Sequence, residues 1–577
     1  MNMQGASPSV LDKRFLVGWG AYCLLLFPLS LLAQLPSAEL PRVHIDTHWS
    51  SPTGGKTFRP HNADEFQHAL NDSAPGDAIV LDAGAMYAGA FTVGAKSNPE
   101  RKWIYIQGLE LPAVEKRVDP ARDATKMPKI VASDVAPAIT ILPGASFLRF
   151  TGLEFYSTST KGCDLNHTPR VNCFTYFLID MPQEKGKPLP DSITIDRCYM
   201  HGSDTQDIRA AVVANGTNVA VIDSYISDIH HSTFDSQAIR AYRTPGPIKV
   251  VNNFLSATTE NLMFGGAGGA DNPYVASDLE IRRNHFYKPE RWATRGITMP
   301  PAAQWSVKNL LEFKSARRAV VTGNIFENNW LAAQWGFAIL LTVRTHDSGN
   351  IAVVNDITIE NNLLTNVGSG FSSGARDDLC KVSRAPFCNN PGEARRWKIA
   401  NNLVLLRSES APGVHREQLF GVSPHLADVL IQHNTVVPST GRSCTASIYF
   451  SAEGNQRWPL AEPATRNMWI LDNVLCRPPT GDYGGQGIAG LERYMGDNPP
   501  IDKRFAGNVI FVPKDSQPAS FPGSNKQVTT GIRFADPAAG NYEVVLPKWN
   551  KTTDELPPGV DMKVLSEAIA GVRSAVH

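Results

Sequence analysis

The 577-residue chain has no excess of charge of either sign and, after its N-terminal segment, no long apolar run. Lys and Arg together number 55, and Asp and Glu together also number 55. A balanced chain has no global field that recruits nucleic acid or a membrane surface, so we expect neither as a partner. Helix-forming residues do not dominate either, because 45 Gly and 41 Pro accompany an apolar content of 42%. This composition indicates many short strands and turns.

One apolar run stands at the N-terminus. Lys13-Arg14 precede a stretch from Phe15 to Leu32, and Ala33 offers a small residue for cleavage. A charged segment followed by an apolar one is typical of an export signal, which we place in residues 1–35. The run is long enough that an uncleaved membrane anchor is the alternative. Either way the sequence predicts an exported protein in the periplasm, at the cell surface or outside the cell.

Cysteine is sparse, with eight in the chain, and no spacing among them is typical of a zinc site. Export permits disulfides. Seven cysteines follow the apolar run, so one is left over after pairing, and we expect Cys198 to be that unpaired residue, buried in the core. The candidate pairs are Cys163–Cys173, Cys380–Cys388 and, as a third, Cys444–Cys476.

An asparagine recurs in similar apolar segments along the second half of the chain. In each segment an apolar residue lies three positions before the Asn and another lies two positions after it. A repeat at intervals of 26 to 45 residues indicates a solenoid, in which each unit buries its apolar face against its neighbours. The recurring positions are Asn253, Asn284, Asn324, Asn362, Asn402, Asn434, Asn473 and Asn508, with Leu153, Cys198 and Ser224 in the same place upstream.

The repeating units have the pattern of strands. Apolar residues alternate with a period of two, as in Ile357 and Ile359, and β-branched residues are common among them. Strand–turn–strand units of this size predict a parallel β-helix. Each Asn would then lie at a tight bend, where its amide bonds backbone groups and the next Asn in the stack. The alternative is that these Asn residues stand in hairpin turns by chance.

Both ends of the predicted solenoid carry helix signals. Asn62-Ala63-Asp64-Glu65 forms a capping box before a helix whose apolar face contains Phe66, Ala69 and Leu70. Such a helix would cover the open N-terminal end of the solenoid. Met562, Leu565 and Ile569 indicate a short amphipathic helix near the C-terminus. We therefore predict a signal or anchor in 1–35, a β-helix in 60–550 and a tail in 551–577.

Several stretches resemble the secreted bacterial right-handed parallel β-helix proteins of the pectate-lyase-like superfamily. The stretches are the capping helix, PGDAIVLDAG, DSQAIRAY, ENLMFGG, IRRNHFYKP and VKNLLEFKSARR. The resemblance covers roughly residues 60 to 550 and implies an all-β, right-handed parallel β-helix. Many members of that group have no assigned reaction, so it leaves the activity open.

Alternation along the strands predicts which side chains leave the core. If Leu311 and Phe313 point inward, Glu312 and Lys314 point outward onto a solvent-facing sheet. The same reasoning places Arg344 outward on the next coil. It also places Arg240 and Tyr242 outward two coils earlier. Coils of a β-helix are about 4.8 Å apart, so these groups can converge on one sugar ring.

The run E-F-K-S, followed one coil later by V-R-T-H, resembles chondroitinase-B-type and alginate lyases. The resemblance implies that Lys314 is the base and that Arg344 neutralises the substrate carboxylate. It also implies an acidic calcium ligand. The spacing of two between Glu312 and Lys314 departs from that family, so Glu312 is either the calcium ligand or a partner that orients Lys314. The alternative is an ordinary surface ion pair.

The segment between Arg240 and Arg344 is locally positive, with 13 Lys and Arg against 7 Asp and Glu. This favours an anionic polysaccharide as the partner of a monomeric protein. We expect substrate contacts from Arg240, Tyr242 and His346, and from Trp330 and Trp335 as stacking platforms unless these rings serve loop packing. A glycoside hydrolase on the same fold, and a non-catalytic glycan-binding or surface protein, are the alternatives to a lyase.

Overall fold

The protein is described by a computed structural model in which the chain divides into two compact units, Met1–Gln34 and Leu35–His577. Only the second unit is described here, as residues 35–576 without 53, 160–173, 205, 232–233, 267–272, 294–304, 345–351, 377–391, 408–416, 440–443, 452–464, 483–486, 513–520, 522–523, 530 and 546–555. The predicted export signal lies outside the described residues. Within them, no helix has the length and apolar character needed to cross a membrane.

The described chain is built almost entirely from short strands. In chain order they are β1 (Thr57–Phe58), β2 (Ala78–Leu81), β3 (Met86–Ala88), β4 (Phe91–Val93), β5 (Ile104–Gly108), β6 (Lys129–Ala132), β7 (Ile139–Ile141), β8 (Ser146–Thr151), β9 (Glu154–Ser157), β10 (Phe174–Asp180), β11 (Asp191–Asp196), β12 (Tyr199–His201), β13 (Asp207–Val213), β14 (Thr217–Ile222), β15 (Tyr225–Ile229), β16 (Gln237–Ala241), β17 (Ile248–Val251), β18 (Phe254–Ala257), β19 (Glu260–Phe264), β20 (Ala276–Arg282), β21 (His285–Tyr287), β22 (Leu311–Phe313), β23 (Ala316–Thr322), β24 (Ile325–Asn329), β25 (Phe337–Thr342), β26 (Val353–Glu360), β27 (Leu363–Val367), β28 (Ser369–Gly374), β29 (Glu393–Ala400), β30 (Leu403–Leu406), β31 (Phe420–Val422), β32 (Ala427–Gln432), β33 (Thr435–Val437), β34 (Ile448–Phe450), β35 (Arg466–Leu471), β36 (Val474–Leu475), β37 (Thr480–Gly481), β38 (Phe505–Ala506), β39 (Val509–Phe511), β40 (Lys526–Val528), β41 (Phe534–Asp536) and β42 (Asn541–Val544). The helices are α1 (Ala63–Asp72), α2 (Pro120–Asp123), α3 (Gly487–Met495), α4 (Ile501–Arg504) and α5 (Met562–Ile569).

Three long parallel sheets run the length of the molecule. Sheet 1 has 14 strands, in the order β1-β2-β5-β8-β11-β14-β17-β20-β23-β26-β29-β32-β35-β38. Sheet 2 also has 14 strands, β3-β6-β9-β12-β15-β18-β21-β24-β27-β30-β33-β36-β39-β40. Sheet 3 has 12 strands, β37-β34-β31-β28-β25-β22-β19-β16-β13-β10-β7-β4. Each coil contributes one strand to each sheet in turn, which confirms the predicted parallel β-helix.

From β8 onward, a tight corner joins each strand of sheet 1 to the next strand of sheet 2. The residue before each ladder position has a positive φ, between 49° and 68°, which turns the chain sharply. Asn, Asp and Gly tolerate this left-handed conformation best, and they fill most of these sites. The corner residues are Gly152, Arg197, Asp223, Asn252, Arg283, Gly323, Asn361, Asn401, His433, Asp472 and Gly507.

The predicted asparagine ladder is present at this corner and is fully buried. In a typical rung, Asn324 Oδ1 accepts from the backbone N–H of Asn284 at 2.9 Å and from its Nδ2 at 3.0 Å. Asn324 Nδ2 in turn donates to Asn362 Oδ1 at 3.0 Å. The same pattern runs from Asn253 to Asn508 and ends at Asn525, which the sequence pattern missed. The ladder ties adjacent coils together inside the core.

Small residues begin the ladder, as predicted. Asn253 Oδ1 accepts from the backbone N–H of Ser224 at 2.9 Å, and Ser224 Oγ accepts from the N–H of Cys198 at 3.0 Å. Cys198 is unpaired and buried, and burial raises the pKa of its thiol to about 12. Cys444 and Cys476 form the third predicted disulfide. The pairs Cys163–Cys173 and Cys380–Cys388 lie outside the described residues.

Both predicted terminal helices are observed. Asn62 Oδ1 caps α1 by accepting from the N–H of Glu65 at 2.9 Å, and the apolar face of α1 joins the core. Helix α5 packs Leu565 with Leu403 on the outer face of sheet 2.

A third feature was not predicted: residues 39–49 lie along the outer face of sheet 1. This strap is held by Arg149, Lys249, Asp278 and Asp356.

Candidate active site

Sheet 3 carries a local irregularity that decides which side chains leave the core. Two consecutive residues on a strand enter the core, as Leu310 and Leu311 do, before alternation resumes at Phe313. Outward positions therefore come in two rows. Gln237, Glu260 and Asn309 lie in the row before the paired core residues, with Gln237 and Glu260 in register. The second row, after them, consists of Asp180, Val213, Arg240, Met263, Glu312 and Leu340, all in register.

Two glutamates from adjacent coils meet between these rows. Glu260 is 0% exposed and Glu312 is 2% exposed, so the predicted solvent-facing position of Glu312 is wrong. Glu312 does leave the core, but neighbouring side chains cover it. The charge of Glu260 contributes to raising the pKa of Glu312. Gln237 Nε2 donates to Glu260 Oε2 at 2.7 Å and fixes the orientation of that carboxylate.

The surroundings shift the pKa values of the two glutamates in opposite directions. Burial raises the pKa of Glu312 to about 7, and the neighbouring Glu260 reinforces that rise against the effect of Lys314. Burial also acts on Glu260, but the charges of Lys308 and Lys314 outweigh it and lower the pKa of Glu260. Two neighbouring carboxyl groups whose pKa values are shifted in opposite directions are typical of sites that transfer protons.

Two lysines lie beside the glutamate pair, one near each glutamate. Lys314 Nζ lies 3.6 Å from Glu312 Oε1. Lys308 Nζ donates to both carboxylate oxygens of Asp235, at 2.6 and 2.7 Å, and lies 3.8 Å from Glu260 Oε1. Burial alone would lower the pKa of Lys308, but Glu260 and Asp235 raise it, so this group stays cationic. With Glu312 protonated, the five groups carry no net charge.

Lys314 and Arg344 lie on adjacent coils at the same edge of sheet 3, as predicted. The backbone N–H of Arg344 donates to the carbonyl oxygen of Lys314 at 3.0 Å. The preceding coil approaches closely here, and a Cβ on Gly266 would stand 2.5 Å from Lys314 Cδ. Gly266 also has a φ of 84°. Gly266 therefore makes room for the Lys314 side chain, which is 16% exposed, while Gly265 lies against Ser315.

Arg240 and Tyr242 extend the site toward earlier coils. The Arg240 guanidinium lies 4.5 Å from the centre of the Tyr242 ring and 5.9 Å from that of Phe177. Burial lowers the pKa of Arg240. Asp180, which the sequence reasoning missed, is in the same register row. Burial raises the pKa of Asp180 to about 6 against the opposing charge of Arg240.

The predicted aromatic platforms separate into two kinds. Trp330 is 2% exposed and packs with Trp292 and Trp305, so the loop-packing alternative holds for it. A buried ring offers no face to a sugar, and we leave Trp330 out of the site. Trp335 is 52% exposed and keeps a face open to solvent. His346 lies outside the described residues.

Lys288 supports the site from behind and was also missed. It is 0% exposed, and its Nζ donates to the carbonyl oxygens of Ala257, Thr258 and Thr259 at 2.7, 2.9 and 3.0 Å. It also donates to Asn261 Oδ1 at 3.0 Å. These contacts fix the corner that delivers Glu260 to sheet 3. The sequence signal for Lys288 is its position at the end of the apolar strand IRRNHFYKP. A lysine buried at such a position needs several hydrogen-bond acceptors around it.

The resemblance implied an acidic calcium ligand, and the arrangement does not fit one. In the part of the chain that the structure describes, no group of three or more His, Cys, Asp or Glu side chains is placed to hold a metal ion. Calcium takes six to eight oxygen ligands. Here Lys308 and Lys314 lie within 4 Å of the two carboxyl groups and bring positive charge to that position. Glu312 is placed as a partner of Lys314.

The fold and this cluster define a parallel β-helix protein with a buried acid–lysine site on one sheet. No protein-family model matches the chain, and no curated protein matches its sequence.

Solved structures resemble it at low identity. An alginate lyase from Paenibacillus sp. str. FPU-7 is 12% identical with a TM-score of 0.36, over 68% of this chain and 98% of that one. The PL6 family alginate lyase AlyGC is 13% identical with a TM-score of 0.49, over 90% of this chain and 59% of that one. A GH87 α-1,3-glucanase catalytic unit from Streptomyces thermodiastaticus strain HF3-3 is 11% identical with a TM-score of 0.40, over 84% of this chain and 70% of that one. Matches this distant say nothing of the reaction, and the fold rests on the sheet order and register above.

Proposed function

We propose that the chain is an exported carbohydrate-active enzyme that cleaves an anionic, uronate-containing polysaccharide by β-elimination on the outer face of sheet 3. The observation that carries the proposal is the position of Lys314 and Arg344. They lie on adjacent coils at one sheet edge, with a glutamate pair buried beside Lys314. A base and a fixed cation within reach of one sugar ring are what proton removal next to a carboxylate requires.

Each residue has one role in the proposed reaction. Arg344 binds the uronate carboxylate and neutralises its charge, which makes the proton on the adjacent carbon more acidic. Lys314, an ammonium ion in the resting cluster, first loses a proton to solvent, and its neutral Nζ then takes the proton from the sugar. The electron pair forms a carbon–carbon double bond, the glycosidic bond breaks, and the leaving oxygen takes up a proton from water. The Glu312 carboxylate, 3.6 Å from Lys314 Nζ, stabilises the ammonium ion that forms.

A glycoside hydrolase that uses Glu260 and Glu312 is less well supported. Hydrolases of this kind hold their two carboxyl groups about 5 to 9.5 Å apart, so that the sugar or a water fits between them. Here both carboxyl groups are covered by neighbouring side chains, with Glu260 0% and Glu312 2% exposed. They therefore leave no open space for a sugar ring between them.

The proposal is tested by incubating the protein with a panel of uronic-acid glycans that contains mannuronate, guluronate, galacturonate and iduronate polymers. We expect one class to give a rise in the ultraviolet absorbance of the unsaturated product. New reducing ends without that absorbance would favour a hydrolase. Binding without cleavage would leave a non-catalytic glycan-binding protein, and no binding to any acidic glycan would end the proposal.

The Glu312→Gln variant tests the partnership with Lys314 through pH. Glu312 is protonated below a pH of about 7, and only its ionised form stabilises the Lys314 ammonium. We therefore expect kcat/KM of the wild type to rise as the pH increases through about 7. In Glu312→Gln that rise should vanish, and kcat/KM above pH 7 should fall at least about 10-fold, because a charge pair at this distance contributes more than about 1.4 kcal/mol.

Glu360→Gln is the matched control for this experiment. Glu360 pairs with Lys398 at 2.7 Å on sheet 1, outside the site. Its pH profile should match that of the wild type. If Glu312→Gln kept the wild-type profile, Glu312 would have no part in the reaction.

A further inference from the structure

Lys308 contacts the carboxylates of Asp235 and Glu260, in a cluster that contains buried oxygen atoms without hydrogen-bond partners. Its Nζ has the two Asp235 oxygens at 2.6 and 2.7 Å and Glu260 Oε1 at 3.8 Å. Three oxygen atoms of the same cluster are buried and accept no hydrogen bond from any described residue: Gln237 Oε1, Glu260 Oε1 and Asn309 Oδ1. Asn309 belongs to the cluster because its Nδ2 lies 3.5 Å from Glu312 Oε2. Carboxylate and amide oxygens of this kind are the ligands of hard cations.

The charges of the cluster require Lys308. Asp235 and Glu260 are balanced by Lys308 and Lys314 when Glu312 is protonated. Without Lys308 the cluster would hold at least one uncompensated negative charge, next to a carboxylate that is 0% exposed. A buried charge without a partner is strongly destabilising. A cluster in that state would take up a cation from solution.

We propose that the Lys308 ammonium is a built-in cation that stands in the place of a divalent metal ion between Asp235 and the glutamate pair. The cluster therefore binds no calcium as it stands, and it becomes a calcium site when Lys308 is replaced by a neutral residue. The prediction about calcium binding does not depend on the protein having any activity. The further expectation that cleavage needs no added metal ion rests on the proposed function.

The test uses the full chain, with calcium alone as the probe. Thermal unfolding and titration calorimetry are run on the wild type and on Lys308→Ala, Lys308→Gln and Lys308→Arg. In a chelator, Lys308→Ala and Lys308→Gln should melt below the wild type. Calcium should restore both, with a dissociation constant of about 10⁻⁴ to 10⁻³ M, the range of weak extracellular calcium sites. The wild type and Lys308→Arg should show no calcium-dependent change.

A double variant locates the bound ion. Adding Glu260→Gln to Lys308→Gln removes one carboxylate of the cage and should abolish the calcium response. Calcium binding to the wild type that disappears in Glu260→Gln would overturn the proposal. So would folded Lys308→Ala and Lys308→Gln proteins that bind no calcium. If neither variant folds, the other titrations decide: a calcium-insensitive wild type and Lys308→Arg support the proposal, and Glu260-dependent binding to either refutes it.

These outcomes are separate from those of the glycan assay. A protein that binds no calcium and cleaves no glycan would leave the built-in cation standing and remove the lyase. A protein that cleaves a glycan only with calcium bound at Glu260 would support the lyase and refute the built-in cation.

Discussion

Lys314→Ala is expected to lower kcat/KM on the responsive glycan by about 10³-fold, within the range that a general base contributes. The variant removes the amine that takes the substrate proton. It should fold but melt below the wild type, because Lys308 then remains as the one lysine of the cluster that balances Asp235 and Glu260. The measurement is the initial rate of unsaturated product formation at saturating and limiting substrate, alongside a thermal melt.

Lys398→Ala is the control for this variant. Lys398 also pairs with a glutamate, Glu360 at 2.7 Å, but lies on sheet 1. It should keep the wild-type rate. A Lys314→Ala protein that still produces the unsaturated product at the wild-type rate would remove Lys314 from the mechanism, and the base would have to be sought elsewhere on sheet 3.

Asn324→Ala is expected to destabilise the protein by about 3 to 5 kcal/mol, because it leaves several buried backbone groups without partners. Asn324 Nδ2 donates to the carbonyl oxygens of Ile281 and Thr322 at 3.0 and 3.2 Å, and its Oδ1 accepts from the backbone N–H of Asn284 at 2.9 Å. The Ile281 carbonyl oxygen and the Asn284 N–H are buried beside the ladder, so water does not replace the amide there. The measurement is the shift in the urea and thermal midpoints of unfolding.

Two further variants calibrate that result. Asn525→Ala removes the half-buried last rung, where water can replace the amide, and should cost clearly less than Asn324→Ala. Asn324→Ser retains a hydroxyl, as Ser224 does at the start of the ladder, and should fall between the two. Equal unfolding midpoints for Asn324→Ala and Asn525→Ala would contradict the claim that the buried ladder contributes more to stability than its half-buried end.

The fold was predictable because its signal is repeated on many coils. One Asn position with fixed apolar neighbours recurs from Asn253 to Asn508, and no single exception hides it. The positive φ before each Asn has a sequence signature too, in the Asn, Asp and Gly residues that favour it. The strap formed by residues 39–49 had no such signal, since it is held by side chains far away along the chain, such as Lys249 and Asp356.

The site was predictable only in part, for two physical reasons. Strict alternation predicts Lys314 and Arg344 on adjacent coils, and their backbones are hydrogen-bonded between those coils. Alternation does not predict the positions of Glu260 and Lys308, because many strands of sheet 3 have two consecutive inward residues, as at Ala238-Ile239 and Leu310-Leu311. The burial of Glu312 arises from side chains on neighbouring coils, among them Glu260, whose register no local pattern reveals. The same holds for Trp330, which packs with tryptophans from other loops.

The most direct test of the account is the mass of the oligosaccharides released from the responsive uronate glycan. Elimination splits the chain without adding water, so one fragment of each cleavage carries a double bond and is lighter than its hydrolytic counterpart by one water molecule. The account predicts unsaturated fragments from the wild type and none from Lys314→Ala. Saturated fragments from the wild type, with a water added at each cut, would contradict it.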